Sequence, residues 1–95
     1  MTWENLDENR LKQIIRQVTG KVTKKDEYLV APSIVKCEGS KWYYAPAKRR
    51  HIRIRCGSKV YIADYEEDLE GRILVYDGYT LLAVPLDDLN TIGFN

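Results

Sequence analysis

The sequence predicts a mainly β domain, a small antiparallel barrel of about six or seven short strands preceded by one N-terminal α-helix. Apolar residues keep a helical spacing only over residues 6–18, and after Gly20 the pattern changes to a period of two. Turns containing glycine or proline then divide residues 21–95 into short runs rich in β-branched and aromatic residues. A chain of 95 residues that is 44% hydrophobic and 31% charged is expected to form a single folded domain.

The predicted helix covers residues 6–18. Asn5 followed by Glu8 fits a capping box at its start, and Gly20 suits the left-handed position just after its end. We expect the helix to pack over one end of the barrel, and its use as an interaction surface is the alternative. Its apolar residues form one stripe at the i, i+3, i+4 and i+7 spacing: Leu11, Ile14, Ile15 and Val18.

Turn-forming residues mark where the predicted strands begin and end. Hairpins are expected around residues 24–27, at Glu38–Ser40 and at Asp77–Gly78, and Gly57–Ser58 is a tight turn between two further runs. Pro32 bends or ends a strand because it lacks a backbone donor. Nine β-type runs, from which we expect six or seven strands of the barrel, follow in chain order: residues 21–24, 28–31, 33–37, 41–44, 49–56, 59–65, 72–76, 79–84 and 90–94.

The second half of the chain, about residues 52–95, is similar to the SH3-type small barrels in the spacing of its turns. The similar features are Gly57-Ser58-Lys59-Val60, the Asp77–Gly78 hairpin, and Val84–Leu89 as a short helical turn before a closing strand. OB-like and Sm-like barrels share these features, so the resemblance implies an SH3/OB-like small barrel with its topology left open. No functional residue is carried over from it.

Residues 42–55 join three aromatic residues to a run of cations that ends as an alternating strand. In an extended strand His51, Arg53 and Arg55 share a face with Arg49, opposite Arg50, Ile52, Ile54 and Cys56. We expect one face to meet the core and the other to be a row of cations. Trp42 and Tyr44 share a parity, which places them in the core and Tyr43 outside. The predicted binding residues are Tyr43, Lys48, Arg49, His51, Arg53 and Arg55.

The net charge of +1 conceals a segregation, since residues 39–63 carry seven bases and no acid whereas residues 64–95 carry eight acids and one base. We expect a non-catalytic binding module whose cationic strand, residues 48–55, docks an acidic protein partner. Single-stranded nucleic-acid binding by the same basic and aromatic stripe is the alternative. A further alternative is that the arginines pair with the acids of residues 64–70 in the same molecule, in which case the stripe binds no partner. Self-association through residues 64–70 and 48–55 is a further expectation.

Catalytic, metal and cofactor sites are not predicted. The sequence has no Gly-rich phosphate loop, HExxH or Gly-x-Ser-x-Gly elbow, and a small enzyme using the only histidine, His51, ranks third among the hypotheses. Two cysteines and one histidine fall short of a zinc site, and the acidic run at 64–70 lacks the EF-hand spacing.

Localisation is predicted from the cysteines and from the hydropathy pattern. Two cysteines without a secretory signal favour free thiols in a reducing cytoplasm, and a Cys37–Cys56 disulfide is the alternative. No apolar run approaches the roughly 20 residues that cross a bilayer, so no membrane association is expected.

Overall fold

In a computed structural model, which describes residues 1–23 and 32–91, one α-helix packs against a curled antiparallel sheet of seven strands. A short 3-10 turn, Trp3–Asn5, precedes helix α1, and a second one, Leu86–Asp88, precedes the last strand. The prediction of a mainly β fold with one N-terminal helix is confirmed. The elements are α1 Glu8–Thr23, β1 Pro32–Val35, β2 Ser40–Ala45, β3 Arg50–Arg55, β4 Lys59–Asp64, β5 Arg72–Tyr76, β6 Leu81–Pro85 and β7 Leu89–Thr91.

Helix α1 begins and ends later than the sequence predicts. Asn5 lies in the 3-10 turn, where its side-chain amide donates to the Thr2 hydroxyl at 3.1 Å, so it does not cap α1. Gly20 lies inside the helix, although glycine there costs about 1 kcal/mol relative to alanine. Packing overrides this cost, because Val22 beyond it contacts the same apolar cluster as the preceding turns.

The predicted strand at residues 21–24 is therefore wrong for residues 21–23, which are helical. The hairpin predicted around residues 24–27, and the run 28–31 that follows it, lie outside the described residues.

The apolar stripe of α1 is buried, as its spacing predicts. It packs on side chains of β5 and β6 and on Trp3, so α1 lies against a face of the sheet and not over one end of a barrel. Burying this face places α1 across the middle strands and leaves β3, at one edge of the sheet, beyond the helix. The buried residues of this cluster are Trp3, Leu11, Ile14, Val18, Leu74, Leu81 and Ala83.

The strand order is β3-β2-β6-β5-β4-β1-β7. The predicted hairpin between β1 and β2 is wrong, because β1 pairs with β4 and β7 instead. The Glu38–Ser40 segment does turn the chain, but a local turn does not determine which strand pairs with which. Between β4 and β7, strand β1 forms backbone hydrogen bonds on both of its sides. The Asp77–Gly78 hairpin is confirmed by five pairs between β5 and β6.

The sheet curls far enough for side chains near its two ends to form a hydrogen bond. The hydroxyl of Tyr43 on β2 donates to Asp88, just before β7, at 2.8 Å, and the Lys41 ammonium approaches the same oxygen at 2.7 Å. In a flat sheet β2 and β7 would lie five strand spacings apart, about 24 Å. Within residues 32–91 no backbone pairing joins β3 to β7, so the sheet stays open and a closed SH3/OB-like barrel remains a prediction.

Cys37 and Cys56 form a disulfide, with their Cα atoms 5.2 Å apart, which lies within the range that disulfides span. The expectation of free thiols is therefore wrong. The bond joins the bend before β2 to the residue after β3, and so holds the open end of the β2–β3 hairpin. The cytoplasmic location stays a prediction. Among the helices of the described segments, none has the length and apolar character to cross a bilayer.

We predict that Tyr43→Phe lowers the free energy of unfolding by about 1–2 kcal/mol, because it removes a hydrogen bond to a carboxylate that bridges the two ends of the sheet. Urea unfolding monitored by tryptophan fluorescence measures the change. Tyr79→Phe is the matched control, since Tyr79 is 91% exposed on the β5–β6 turn. An unchanged midpoint for Tyr43→Phe would show that the bridge contributes nothing to stability.

Candidate functional site

The exposed face of the β2–β3 hairpin follows from what its other face buries. Tyr43 on β2 and Ile52 and Ile54 on β3 belong to the core cluster enclosed by the curled sheet. Because side chains alternate along a strand, residues of the opposite parity point away from this core. We call five of them the cationic face: Trp42, Tyr44, His51, Arg53 and Arg55.

The structure reverses the expected positions of the hairpin aromatics. Trp42 is 62% exposed, whereas Tyr43 is 3% exposed, so the assignment of Tyr43 to a binding surface is wrong in its orientation. The register explains the reversal, because Tyr43 pairs with Ile52 and must share the apolar face of β3. That register was the information missing from the sequence, in which three consecutive aromatic residues suit either parity.

Two cross-strand pairs build the centre of the cationic face. Trp42 pairs with Arg53, and Tyr44 pairs with His51. The Tyr44 and His51 rings meet edge to face with their centroids 5.4 Å apart. Tyr44 is half-buried against the helix-side cluster, which anchors this pair, while Trp42 and Arg53 are exposed. An exposed ring beside a guanidinium provides both a stacking surface and a cation.

The turn before β3 carries further cations, but Arg49 is not part of the strand face. Arg49 adopts a left-handed backbone conformation with φ 52°, which ends the alternation there. Its guanidinium lies 2.9 Å from the Glu8 carboxylate, and this pair joins the turn to the first turn of α1. Lys48 is exposed in the same turn, next to the cationic face.

Four acids of residues 64–70 are paired with bases outside β3, and the alternative in which the β3 arginines neutralise this segment is wrong. Arg10 on α1 forms ion pairs with Glu66 and Asp64. Arg72 on β5 pairs with Asp68 at 2.8 Å and with Glu70 at 3.0 Å. Within the described part of the chain, no carboxylate lies within ion-pair distance of Arg50, Arg53 or Arg55.

A second cluster resembles a metal site in composition but is occupied by Arg72. Carboxylate oxygens of Glu4, Asp68 and Glu70 lie within 4.8 Å of one another. The Arg72 guanidinium donates to both Glu4 and Asp68, and the Trp3 indole donates to the Arg72 carbonyl at 2.8 Å. The Arg72 guanidinium forms ion pairs with all three carboxylates and occupies the space between them, so the cluster serves the fold. Residue spacing does not predict this cluster, although Arg72 stands out as the only base in residues 64–95.

The ion pairs with Arg72 shift the titration of two carboxyl groups. The hydrogen bond from Arg72 lowers the pKa of Glu4 below its ordinary value. Burial alone would raise the pKa of Asp68, but hydrogen bonds from the backbone and side chain of Arg72 and from Trp3 outweigh it and hold that pKa low. Both groups therefore stay ionised in the native protein at neutral pH.

A small enzyme that uses His51, the third hypothesis, would not have a cysteine thiol as its nucleophile. His51 is exposed and its ring contacts Tyr44, while the sulfurs of Cys37 and Cys56 are bonded to each other. A thiol engaged in a disulfide is not available as a nucleophile.

No protein-family model, curated protein or solved structure matches this chain.

We predict that acid unfolds the protein partly through Asp68. Its native pKa lies below the unfolded value of about 4, so its contribution is complete above that value and is lost as the pH falls through the native pKa. Asp68→Asn should cost about 2 kcal/mol at pH 7, because it weakens the charge-assisted hydrogen bonds that Asp68 accepts from the backbone and side chain of Arg72. It should also flatten the loss of stability below about pH 5.

Urea unfolding of the wild-type and variant proteins across this pH range measures both effects. Asp87→Asn is the control, because Asp87 is exposed on the turn before β7. Equal pH dependence in the Asp68→Asn and wild-type proteins would contradict the assignment.

Proposed function

We propose that the cationic face binds single-stranded nucleic acid. The observation that carries the proposal is the position of Trp42, which is 62% exposed and paired across the strands with Arg53. Proteins that bind single strands combine cations that contact phosphates with aromatic rings on which bases stack. Both kinds of group lie on one face of the β2–β3 hairpin, held by the core residues behind it.

The local charge supports this proposal. Arg53 and Arg55 have no carboxylate partner among the described residues, so their guanidinium groups are available to phosphate oxygens, which they bind through paired hydrogen bonds. Salt confines the field of exposed charges to about 10 Å at 0.1 M, so the cations of the face matter more to a bound strand than the net charge of +1.

The alternative, which the charge segregation in the sequence favours, is that the same surface docks an acidic protein. An acidic protein requires the cations of the face, and its attraction to them does not require an exposed ring. The sequence predicts Trp42 in the core, and its exposure on the cationic face favours nucleic acid over an acidic protein as the partner. Tryptophan also anchors protein interfaces, so the test must separate base stacking from protein contact.

We predict that affinity for a thymidine oligonucleotide of about 12 nucleotides falls steeply with salt. The double variant Arg53→Ala/Arg55→Ala should reduce the slope of log K against log salt concentration by about 1.4, because each phosphate contact on a single strand contributes about 0.7. Fluorescence anisotropy measures the slope. Arg16→Ala on the exposed side of α1 is the control. A slope that the double variant leaves unchanged would exclude these arginines as phosphate contacts.

We predict that Trp42→Ala weakens binding of the same oligonucleotide about 5- to 150-fold, the loss expected for one stacked base, with little change in the salt slope. Tyr79→Ala, which removes another exposed ring, should have no effect. Polyglutamate is the matched polyanion without bases, and its binding should be insensitive to Trp42→Ala. Binding of polyglutamate without binding of the oligonucleotide would overturn the proposal in favour of an acidic protein partner.

A further inference from the structure

One hydrogen bond at the open end of the β2–β3 hairpin shows which cross-strand pairs are hydrogen-bonded and which are not. We call this alternation the phase of the ladder. The Cys56 amide donates to the Gly39 carbonyl at 2.9 Å, and the next pair along the ladder is Ser40 with Arg55. In antiparallel strands bonded and non-bonded pairs alternate. The pairs Ser40–Arg55, Trp42–Arg53 and Tyr44–His51 are therefore the non-bonded ones.

This phase gives the β3 residues of the face a backbone polar group in addition to the side chain. In non-bonded pairs the backbone N–H and C=O point away from the partner strand. Within the described segments β3 pairs only with β2, so the N–H groups of His51, Arg53 and Arg55 point to the outer edge of the sheet, as do the carbonyls of His51 and Arg53. The carbonyl of Arg55 accepts hydrogen bonds from Ser58 in the turn that follows. The same three residues carry their side chains on the exposed face. Donors thus repeat along β3 every second residue, about every 6.8 Å.

The aromatic residues on β2 repeat with the same period, with Trp42 exposed and Tyr44 half-buried. Trp42 and Tyr44 are two residues apart, so their positions on the face are separated by about 6.8 Å. Bases stacked on one another in a strand rise only about 3.4 Å per nucleotide. Two successive bases that each contact one of these rings therefore lie side by side and lose contact with each other. A strand held in this way has exchanged stacking between bases for stacking on the protein.

The surroundings of the face set the direction and length of such a strand. Across the sheet from β2, helix α1 covers the central strands, and the carboxylates of Glu4 and Glu70 surround Arg72 on β5. A polyanion is therefore favoured along β3 and disfavoured across the sheet. β3 has six residues, which span about 20 Å and match about three nucleotides at the 6.8 Å repeat.

We propose that the cationic face holds an unstacked single strand of about three nucleotides along β3, and that it therefore selects pyrimidine-rich segments. This proposal rests on the proposed function and adds the substrate class. Adenine runs are the strands that stack most strongly in solution, and they must give up that stacking to bind. Thymine or uracil runs stack weakly and lose little. Preferences of this kind arise from stacking and backbone flexibility and do not need hydrogen bonds to base edges.

The test compares thymidine and deoxyadenosine oligonucleotides of equal length, and hence equal charge, from about 2 to about 10 nucleotides. We expect the thymidine series to bind about three- to tenfold more tightly. Affinity should rise steeply up to about three or four nucleotides and afterwards only with the number of overlapping registers. An oligonucleotide of the same length with abasic residues should bind equally to wild type and to Trp42→Ala, since it has no base to stack.

Each outcome bears on a different claim. Equal or tighter binding of the deoxyadenosine series, or a uniform gain in affinity for every added nucleotide, overturns the unstacked three-nucleotide site while leaving nucleic-acid binding in place. Equal binding of a blunt duplex overturns it as well. Failure of every oligonucleotide to bind overturns the proposed function together with this inference. Circular dichroism of Trp42→Ala establishes that the variant is folded before its affinity is compared.

Discussion

The two-residue alternation of the β2–β3 hairpin is the constraint on which the candidate site depends. Tyr43, Ile52 and Ile54 fill the space enclosed by the curled sheet, and their burial fixes the orientation of every other residue in both strands. Trp42 and Arg53 are exposed as a direct consequence. The core and the cationic face are thus two sides of one register, and a one-residue slip would exchange them.

The distribution of ion pairs determines which cations remain available. Arg72 is surrounded by carboxylates beside the buried Trp3, and Arg10 holds the acids that begin the 64–70 segment. Lys41 is used at the junction between the two ends of the sheet. Most acids of residues 64–91 therefore form ion pairs with bases outside β3. A nearly neutral chain can in this way present a locally basic hairpin, which whole-chain charge does not reveal.

Local patterns predicted the local features well. The stripe of α1, the Asp77–Gly78 hairpin and the exposure of Arg53 depend on periodicity or on turn chemistry within a few residues. The failures concern partners distant in sequence. The place of β1 between β4 and β7, the parity of Tyr43 and the joining of Cys37 to Cys56 are all set by which strands meet, and this depends on burying two faces of one sheet at once. The Arg72 cluster needs the same long-range information, because Glu4 reaches it from the N-terminus.

The glycine inside α1 divides that helix into two unequal parts. The turns before Gly20 carry Leu11, Ile14 and Val18, whereas the last turn is held mainly by Val22. A Cβ added at Gly20 would meet no atom within 4 Å, so the native residue is not required by crowding. The C-terminal turn combines weak intrinsic helicity with little buried area. It is the segment of the helix whose amide protons should exchange with solvent first, while the part beneath the sheet retains the protection of the core.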